Sequence, residues 1–99
     1  MADALIFEFD GVGREQYDAV NRNLGLDPVS GSGPWPKGLC SHVGAAKPGG
    51  WVVVEVWESK DDQEAWMQER LGQALQEEGV TAPSRLEWLE VAGYTTPGS

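Results

Sequence analysis

The sequence predicts one α+β domain over residues 1–99, with four strands and two helices in the order β-α-β-β-α-β. Three observations predict it. Two segments carry apolar residues at helical spacing, and each ends in a glycine. Four short runs are rich in β-branched, aromatic and aliphatic residues, as strands are. Two of those runs are joined by Lys47-Pro48-Gly49-Gly50, a Pro-Gly step that suits a type II turn and so a hairpin. Elements in this order give the ferredoxin-like pattern, a four-stranded antiparallel sheet with both helices on one face.

The first strand is residues 4–9, Ala-Leu-Ile-Phe-Glu-Phe. The breakers Asp10-Gly11-Val12-Gly13 end it. Tyr17, Val20 and Leu24 then stand at i, i+3 and i+7 of a helix that Gly25 stops. Residues 27–38 hold three prolines, three glycines and two serines around Trp35, which makes them an irregular loop of the length that often carries function. Residues 39–46 and 51–58 form the hairpin. Ser59 caps the longest helix, with Asp62 at the position of a capping-box acid. Met67, Leu71, Ala74 and Leu75 form its buried stripe, and Gly79 ends it. Residues 85–94 read as the last strand, ending in Tyr94.

Composition removes several classes of function. Seven basic residues face 16 acidic ones, a net charge of −9. Nucleic-acid backbones and anionic membranes both need a basic surface, so neither is expected as a partner. Seven acids and two bases lie in residues 58–78, which read as a solvated helix face. Cys40 is the one cysteine and His42 the one histidine, too few for a zinc site, so no metal is expected. No apolar run reaches the ~18 residues of a membrane span. Met1-Ala2-Asp3 opens with neither a basic segment nor an apolar one, so a cytoplasmic protein is expected.

The hairpin register singles out a candidate site. With the turn centred on Pro48-Gly49, Ala46 faces Trp51, Gly44 faces Val53, His42 faces Glu55 and Cys40 faces Trp57. By the two-residue repeat of a strand, all eight share one side of the sheet. The other side carries Leu39, Ser41, Val43 and Ala45 against Val52, Val54, Val56 and Glu58. A carboxylate beside an imidazole orients the ring and raises its basicity, so His42 and Glu55 are candidate catalytic residues. The competing reading is a structural cross-strand hydrogen bond. A slip of one residue would part the two side chains. Cys40 is either a nucleophile beside His42 or a buried, inert thiol. Glu8 either shares the face of Glu55 or stands at a rim.

Tyr17 and Asn21 lie one turn apart on the first helix and are candidate ligand-binding residues, as are Trp57 and Trp66. Tyr17 also reads as a core residue, and Trp66 either roofs a pocket or packs on the loop. Trp35 and Trp88 complete a set of indoles suited to a flat aromatic or polyketide-like ligand, or to a core.

Two helices cover one sheet face only, yet both faces are apolar: Val52, Val54 and Val56 on one side of the third strand, Trp51, Val53 and Trp57 on the other. A second copy of the same sheet would cover the remaining face, so a homodimer through facing sheets is expected. Further matching stretches are Gly11-Val12-Gly13-Arg14-Glu15-Gln16-Tyr17-Asp18, Trp35-Pro36-Lys37-Gly38-Leu39 with Ser41-His42-Val43, and Val54-Glu55-Val56-Trp57-Glu58-Ser59 running on to Trp66. On these stretches and its element order, the chain resembles the dimeric α+β barrel superfamily, near its antibiotic-biosynthesis-monooxygenase-like branch. That resemblance implies a homodimer but no single reaction. The superfamily includes cofactor-free monooxygenases, haem-degrading enzymes, isomerases, cyclases and proteins of no known activity. Its haem-degrading members set a Trp at the matching strand end into a pocket between sheet and helices, which implies that the His42 face looks toward the helices. They also use a histidine of the second helix, and residues 60–79 contain none. The expected function is therefore binding of an aromatic small molecule between sheet and helices without a cofactor. His42 would act as base in an oxygenation, isomerisation or cyclisation, under a lid made by loop 27–38. The alternatives are a ligand-binding or stress-responsive dimer without chemistry, and a haem protein.

Overall fold

A computed structural model describes residues 2–98; Met1 and Ser99, the ends of the predicted domain range, lie outside the described residues. The elements are β1 (Asp3–Asp10), α1 (Arg14–Leu24), β2 (Leu39–Lys47), β3 (Gly50–Trp57), α2 (Lys60–Trp66), a π-helical segment Met67–Leu71, α3 (Gly72–Glu77) and β4 (Arg85–Glu90). One antiparallel sheet has the order β2-β3-β1-β4. This is the ferredoxin-like βαββαβ arrangement, with α2, the π segment and α3 in the place of the second helix.

Period-2 alternation builds the core. Leu5, Phe7 and Phe9 of β1 and Trp51, Val53 and Trp57 of β3 are buried on the face that meets the helices. Leu5 and Trp57 are 0 % exposed. Val20, Leu24, Leu26 and Ala74 form a second cluster between α1 and α3. Ser59 Oγ accepts the Asp62 N–H at 3.3 Å, so the predicted cap is present. Gly25 ends α1 at φ +76°, a left-handed conformation that a side chain would strain. The hairpin turn is Pro48-Gly49, with Gly49 at φ +75° as a type II turn requires.

The register differs from expectation at one end. Ser41 pairs with Val56 and His42 with Glu55, as read from the sequence, but a bulge between Leu39 and Ser41 sets Leu39 opposite Trp57. One extra residue on β2 reverses the alternation beyond it. Leu39 turns in to pack on the core, and Cys40 is left exposed, neither buried nor facing Trp57. β4 also stops at Glu90 rather than residue 94. Tyr94 lies beyond it and donates its hydroxyl to the Cys40 carbonyl at 3.3 Å.

Glu8 points away from Glu55. It stands opposite Val52 on the outer face, where its carboxylate bonds Lys47 Nζ at 3.1 Å and Arg85 at 2.8 Å. Arg85, then Lys47, hold its carboxyl below the usual range. Apart from Glu87 opposite Ile6 and Ser41 opposite Val56, the rest of the outer face is apolar. Ile6 pairs with Val54, and Val54 with Val43. Val43, Val54 and Leu89 are exposed in the single chain. Among the described residues no helix is long and apolar enough to cross a membrane.

The second helical rod departs from a regular helix at Gly72, whose N–H reaches back to the Met67 carbonyl, the five-residue step of a π turn. A Cβ on Gly72 would lie 2.8 Å from that carbonyl oxygen. Gly→Ala inside a helix ordinarily stabilises by about 0.5–1 kcal/mol. Here Gly72→Ala is expected to destabilise by about 1–3 kcal/mol through overpacking. Urea denaturation checks the sign: the midpoint falls for Gly72→Ala.

Candidate functional site

The hairpin register brings His42 and Glu55 together. His42 Nδ1 lies 2.7 Å from Glu55 Oε2. The other carboxyl oxygen, Oε1, accepts the indole N–H of Trp57 at 3.0 Å. Trp57 sits two residues along the same strand face, so the i, i+2 spacing of β3 makes this contact. Both oxygens of Glu55, which is 7 % exposed, are thereby satisfied.

Tyr17 completes the chain from above. Its hydroxyl lies 2.5 Å from His42 Nε2, and the two rings stack at 9° with centroids 5.9 Å apart. Glu55 has no proton to give as a carboxylate, so Nδ1–H donates to it and Nε2 accepts from the Tyr17 hydroxyl. The order is Trp57, Glu55, His42, Tyr17. Gly44 makes room for it: a Cβ there would lie 2.4 Å from Tyr17 Cζ. A glycine inside a strand marks such a close approach.

Tyr17, His42 and Glu55 border a cavity of about 80 Å³ between the helices and the sheet. Tyr17, Asn21 and Val20 line it from α1, Trp66 and Leu71 from the second helical rod, and His42, Trp51 and Glu55 from the hairpin. Trp66 therefore helps roof the pocket, held from outside by the Arg70 guanidinium 5.6 Å from its ring centre. Trp57 does not line the cavity; it is fully buried and serves Glu55. Loop 27–38 contributes Trp35, whose ring centre lies 5.4 Å from that of His42. Its N–H donates to the Gly31 and Ser32 carbonyls. Asp27 accepts the backbone N–H groups of Val29 and Ser30, which fixes the same loop.

Two lining residues carry buried N–H groups without partners, Asn21 Nδ2 and Trp51 Nε1. Hairpin register places Trp51 on the face of His42 and Glu55, but the lack of a partner for its N–H follows only from packing. The role of Gly44 had a legible signal, a glycine among strand formers. Cys40 stands outside the cavity. Partial desolvation and then the Glu58 carboxylate hold its thiol above the usual range, the opposite of an activated nucleophile.

The arrangement does not fit haem. Both His42 ring nitrogens are engaged, residues 60–79 offer no histidine, and 80 Å³ cannot hold a macrocycle. Among the described residues no cluster of three or more His, Cys, Asp or Glu could hold a metal ion.

Burial raises the Tyr17 phenol above its ordinary value; the Asn21 amide, next to the hydroxyl, opposes the rise, and the Glu55 carboxylate adds to it. A raised folded-state value favours the protonated phenol, so this contribution to stability is full below about pH 10 and is lost as pH climbs through the raised value. The tyrosinate absorbance that Tyr17→Phe removes is expected to emerge above the ordinary tyrosine range. A spectrophotometric pH titration of both proteins checks this.

No family model and no curated protein matches the sequence. Solved structures do. A protein from Chloroflexus aurantiacus J-10-fl, provisionally named an antibiotic biosynthesis monooxygenase, superposes with a TM-score of 0.66 at 18% identity, covering 99% of this chain and 100% of that one. A protein from Mycobacterium tuberculosis gives 0.64 at 16% identity, over 97% and 100% of the two chains. A Deinococcus radiodurans protein with the same provisional name gives 0.58 at 13% identity over the whole of both. Such identities speak for the fold and leave activity open. The chain has the ferredoxin-like α+β fold of structures named as antibiotic-biosynthesis-monooxygenase-like.

Proposed function

We propose that the chain binds a small, mostly apolar and aromatic molecule in the cavity and acts on it by proton transfer at the His42–Glu55 pair, with no resident cofactor. The 2.7 Å contact between His42 Nδ1 and a buried carboxyl carries this reading. A carboxylate that fixes the ring leaves the far nitrogen as the basic one and stabilises the imidazolium once it forms. The aromatic lining residues Tyr17, Trp51 and Trp66 suit a flat ligand. At about 80 Å³ the cavity is smaller than the roughly 150 Å³ that takes benzene, so the ligand is no larger than a single ring. A molecule so held and deprotonated could react with O₂, as the names of the solved neighbours suggest, or isomerise or cyclise by the same proton transfer.

The functional unit in this reading is a homodimer. The exposed Val43, Val54 and Leu89 form part of an apolar sheet face that the helices of the same chain do not reach. A second copy of this face is self-complementary under two-fold symmetry. The Glu8, Lys47 and Arg85 ion pairs would lie at its charged end.

Native mass spectrometry is expected to show twice the 10.7 kDa chain mass, with a small molecule released on harsher activation. Val54→Asp puts a charge in the middle of the face and is expected to give the single-chain mass. A single-chain mass for the unaltered protein would refute the facing-sheet assembly. With the released molecule as substrate, His42→Ala is expected to lower turnover by about 100-fold or more while leaving the dimer intact. Full activity in that variant would remove the mechanism.

A further inference from the structure

We propose that Trp51, Tyr17 and His42 form a one-electron relay: a small oxidising radical takes an electron from Trp51, Tyr17 replaces it, and the proton of Tyr17 comes to rest on His42. The co-reactant is by class a small, diffusible one-electron oxidant. This goes beyond the proton chemistry proposed above, and it stands on the arrangement of the side chains whether or not the cavity takes a ligand.

The two tyrosines of the chain differ in what their hydroxyls meet. Tyr94 is exposed and donates to the Cys40 backbone carbonyl at 3.3 Å. A carbonyl oxygen takes up no proton near neutral pH. The Tyr17 hydroxyl lies 2.5 Å from His42 Nε2, a nitrogen that does accept one. Loss of an electron turns a phenol into a strong acid, so a tyrosine yields an electron readily where a base takes its proton at once. Burial keeps the Tyr17 phenol protonated at neutral pH, so its electron and its proton have to leave together. The imidazolium that results is held by the Glu55 carboxylate, 2.7 Å from Nδ1.

Trp51 is placed to bring the oxidising equivalent in. Its ring centre lies 4.9 Å from that of Tyr17, so the two rings are in near contact. Its indole N–H has no partner. An oxidised indole with no acceptor for that proton stays a cation, and a cation draws an electron from its neighbour rather than settling as a neutral radical. Trp57 differs: its N–H meets Glu55 Oε1, but the ring is fully buried and lines neither of the spaces that Trp51 borders. One of those spaces is the inner cavity. The other is a wider groove of about 290 Å³, beside Arg14 and Asp18 of α1, Val29 of the loop and Gly44 of β2. A small radical in that groove comes up against the indole without entering the inner cavity.

The electrons and protons balance. The radical gains one electron from Trp51 and becomes its anion. Trp51 regains one electron from Tyr17. The Tyr17 O–H bond breaks and its proton bonds to His42 Nε2. The products are an intact Trp51, a neutral tyrosyl radical and an imidazolium paired with Glu55.

The test is pulse radiolysis of the whole chain in azide solution, with the azidyl radical as oxidant. Visible absorption separates indolyl from tyrosyl radicals. The indolyl band is expected to decay as the tyrosyl band grows, at a rate independent of protein concentration and slower in deuterium oxide. Tyr17→Phe, which keeps the ring, is expected to lose this coupled growth, and Trp51→Phe to lose most of its yield. Tyr94→Phe is expected to leave it unchanged. His42→Ala is expected to slow it by about 100-fold or more, the worth of a positioned base. Coupled growth that survives in Tyr17→Phe or Trp51→Phe, or that vanishes in Tyr94→Phe, overturns the relay. So does an indolyl band that decays in the unaltered protein with no tyrosyl growth. An undiminished rate in His42→Ala, or one equal in deuterium oxide, overturns the proton's passage to His42. Each of these results leaves ligand binding in the cavity to be read separately by native mass spectrometry.

Discussion

A carboxyl group on the covered face of a sheet has to be matched atom by atom, and the site depends on how Glu55 is matched. Leaving one of its oxygens unpaired would cost a desolvation penalty of about 1–3 kcal/mol, more for a charged group. β3 supplies one partner from within itself, the Trp57 N–H two residues on, and β2 supplies the other across the hairpin, His42 Nδ1. Once Nδ1 is committed, the tautomer follows, and Nε2 must accept. Tyr17 from α1 meets it, which ties helix to sheet at the edge of the cavity. The polar chain is thus both a structural clasp and a line along which a proton can move.

The same dependence explains why part of this site was legible in the sequence. A Pro-Gly turn and strict alternation fix the pairing of His42 with Glu55, because every residue between the turn and that pair obeys the two-residue repeat. Alternation fails at Leu39 and Cys40. Burying Leu39 over Trp57 and leaving the thiol outside requires one extra residue on β2, and Gly38 just before it reads in the sequence as the end of the loop rather than as a bulge. Glu8 was ambiguous for a similar reason. Its side of β1 is set by alternation, but its partners, Lys47 and Arg85, are brought in by strand pairing across the sheet. The His42–Tyr17 contact was harder still. It needs the crossing of α1 over β2, which depends on Gly44 lacking a side chain. Helical spacing shows that Tyr17 faces inward and leaves open what it meets.

The two faces of the sheet illustrate how a short chain divides its apolar residues. The inner face carries aromatics and the polar chain; the outer carries valines, alanines and Ile6, with its ions gathered at one end. Aliphatic β-branched residues make a flat, regular surface suited to a second sheet, whereas rings of differing size leave gaps. In the proposed reading, separation of the two kinds of residue would let assembly and ligand binding draw on opposite faces of the same strands. A substitution on the outer face at Val54 therefore shares a strand with Glu55 and Trp57 but not a contact surface.

What distinguishes the cavity from a packing fault is the company it keeps. A fault in a core would be lined by hydrocarbon alone, since unpaired polar atoms there raise its cost without compensation. Here the void adjoins Tyr17 and His42 and two residues with unpaired N–H groups. Each such donor costs about 1–3 kcal/mol while it stays unpaired. Gln63 carries a third such donor away from the lining, so the pair beside the void takes its interest from Tyr17 and His42 next to it. A ring placed there would fill the space, so its binding would stabilise the fold as well as occupy the site. In the proposed reading, ligand affinity and chain stability would thus be linked at the cavity that Tyr17 and His42 border.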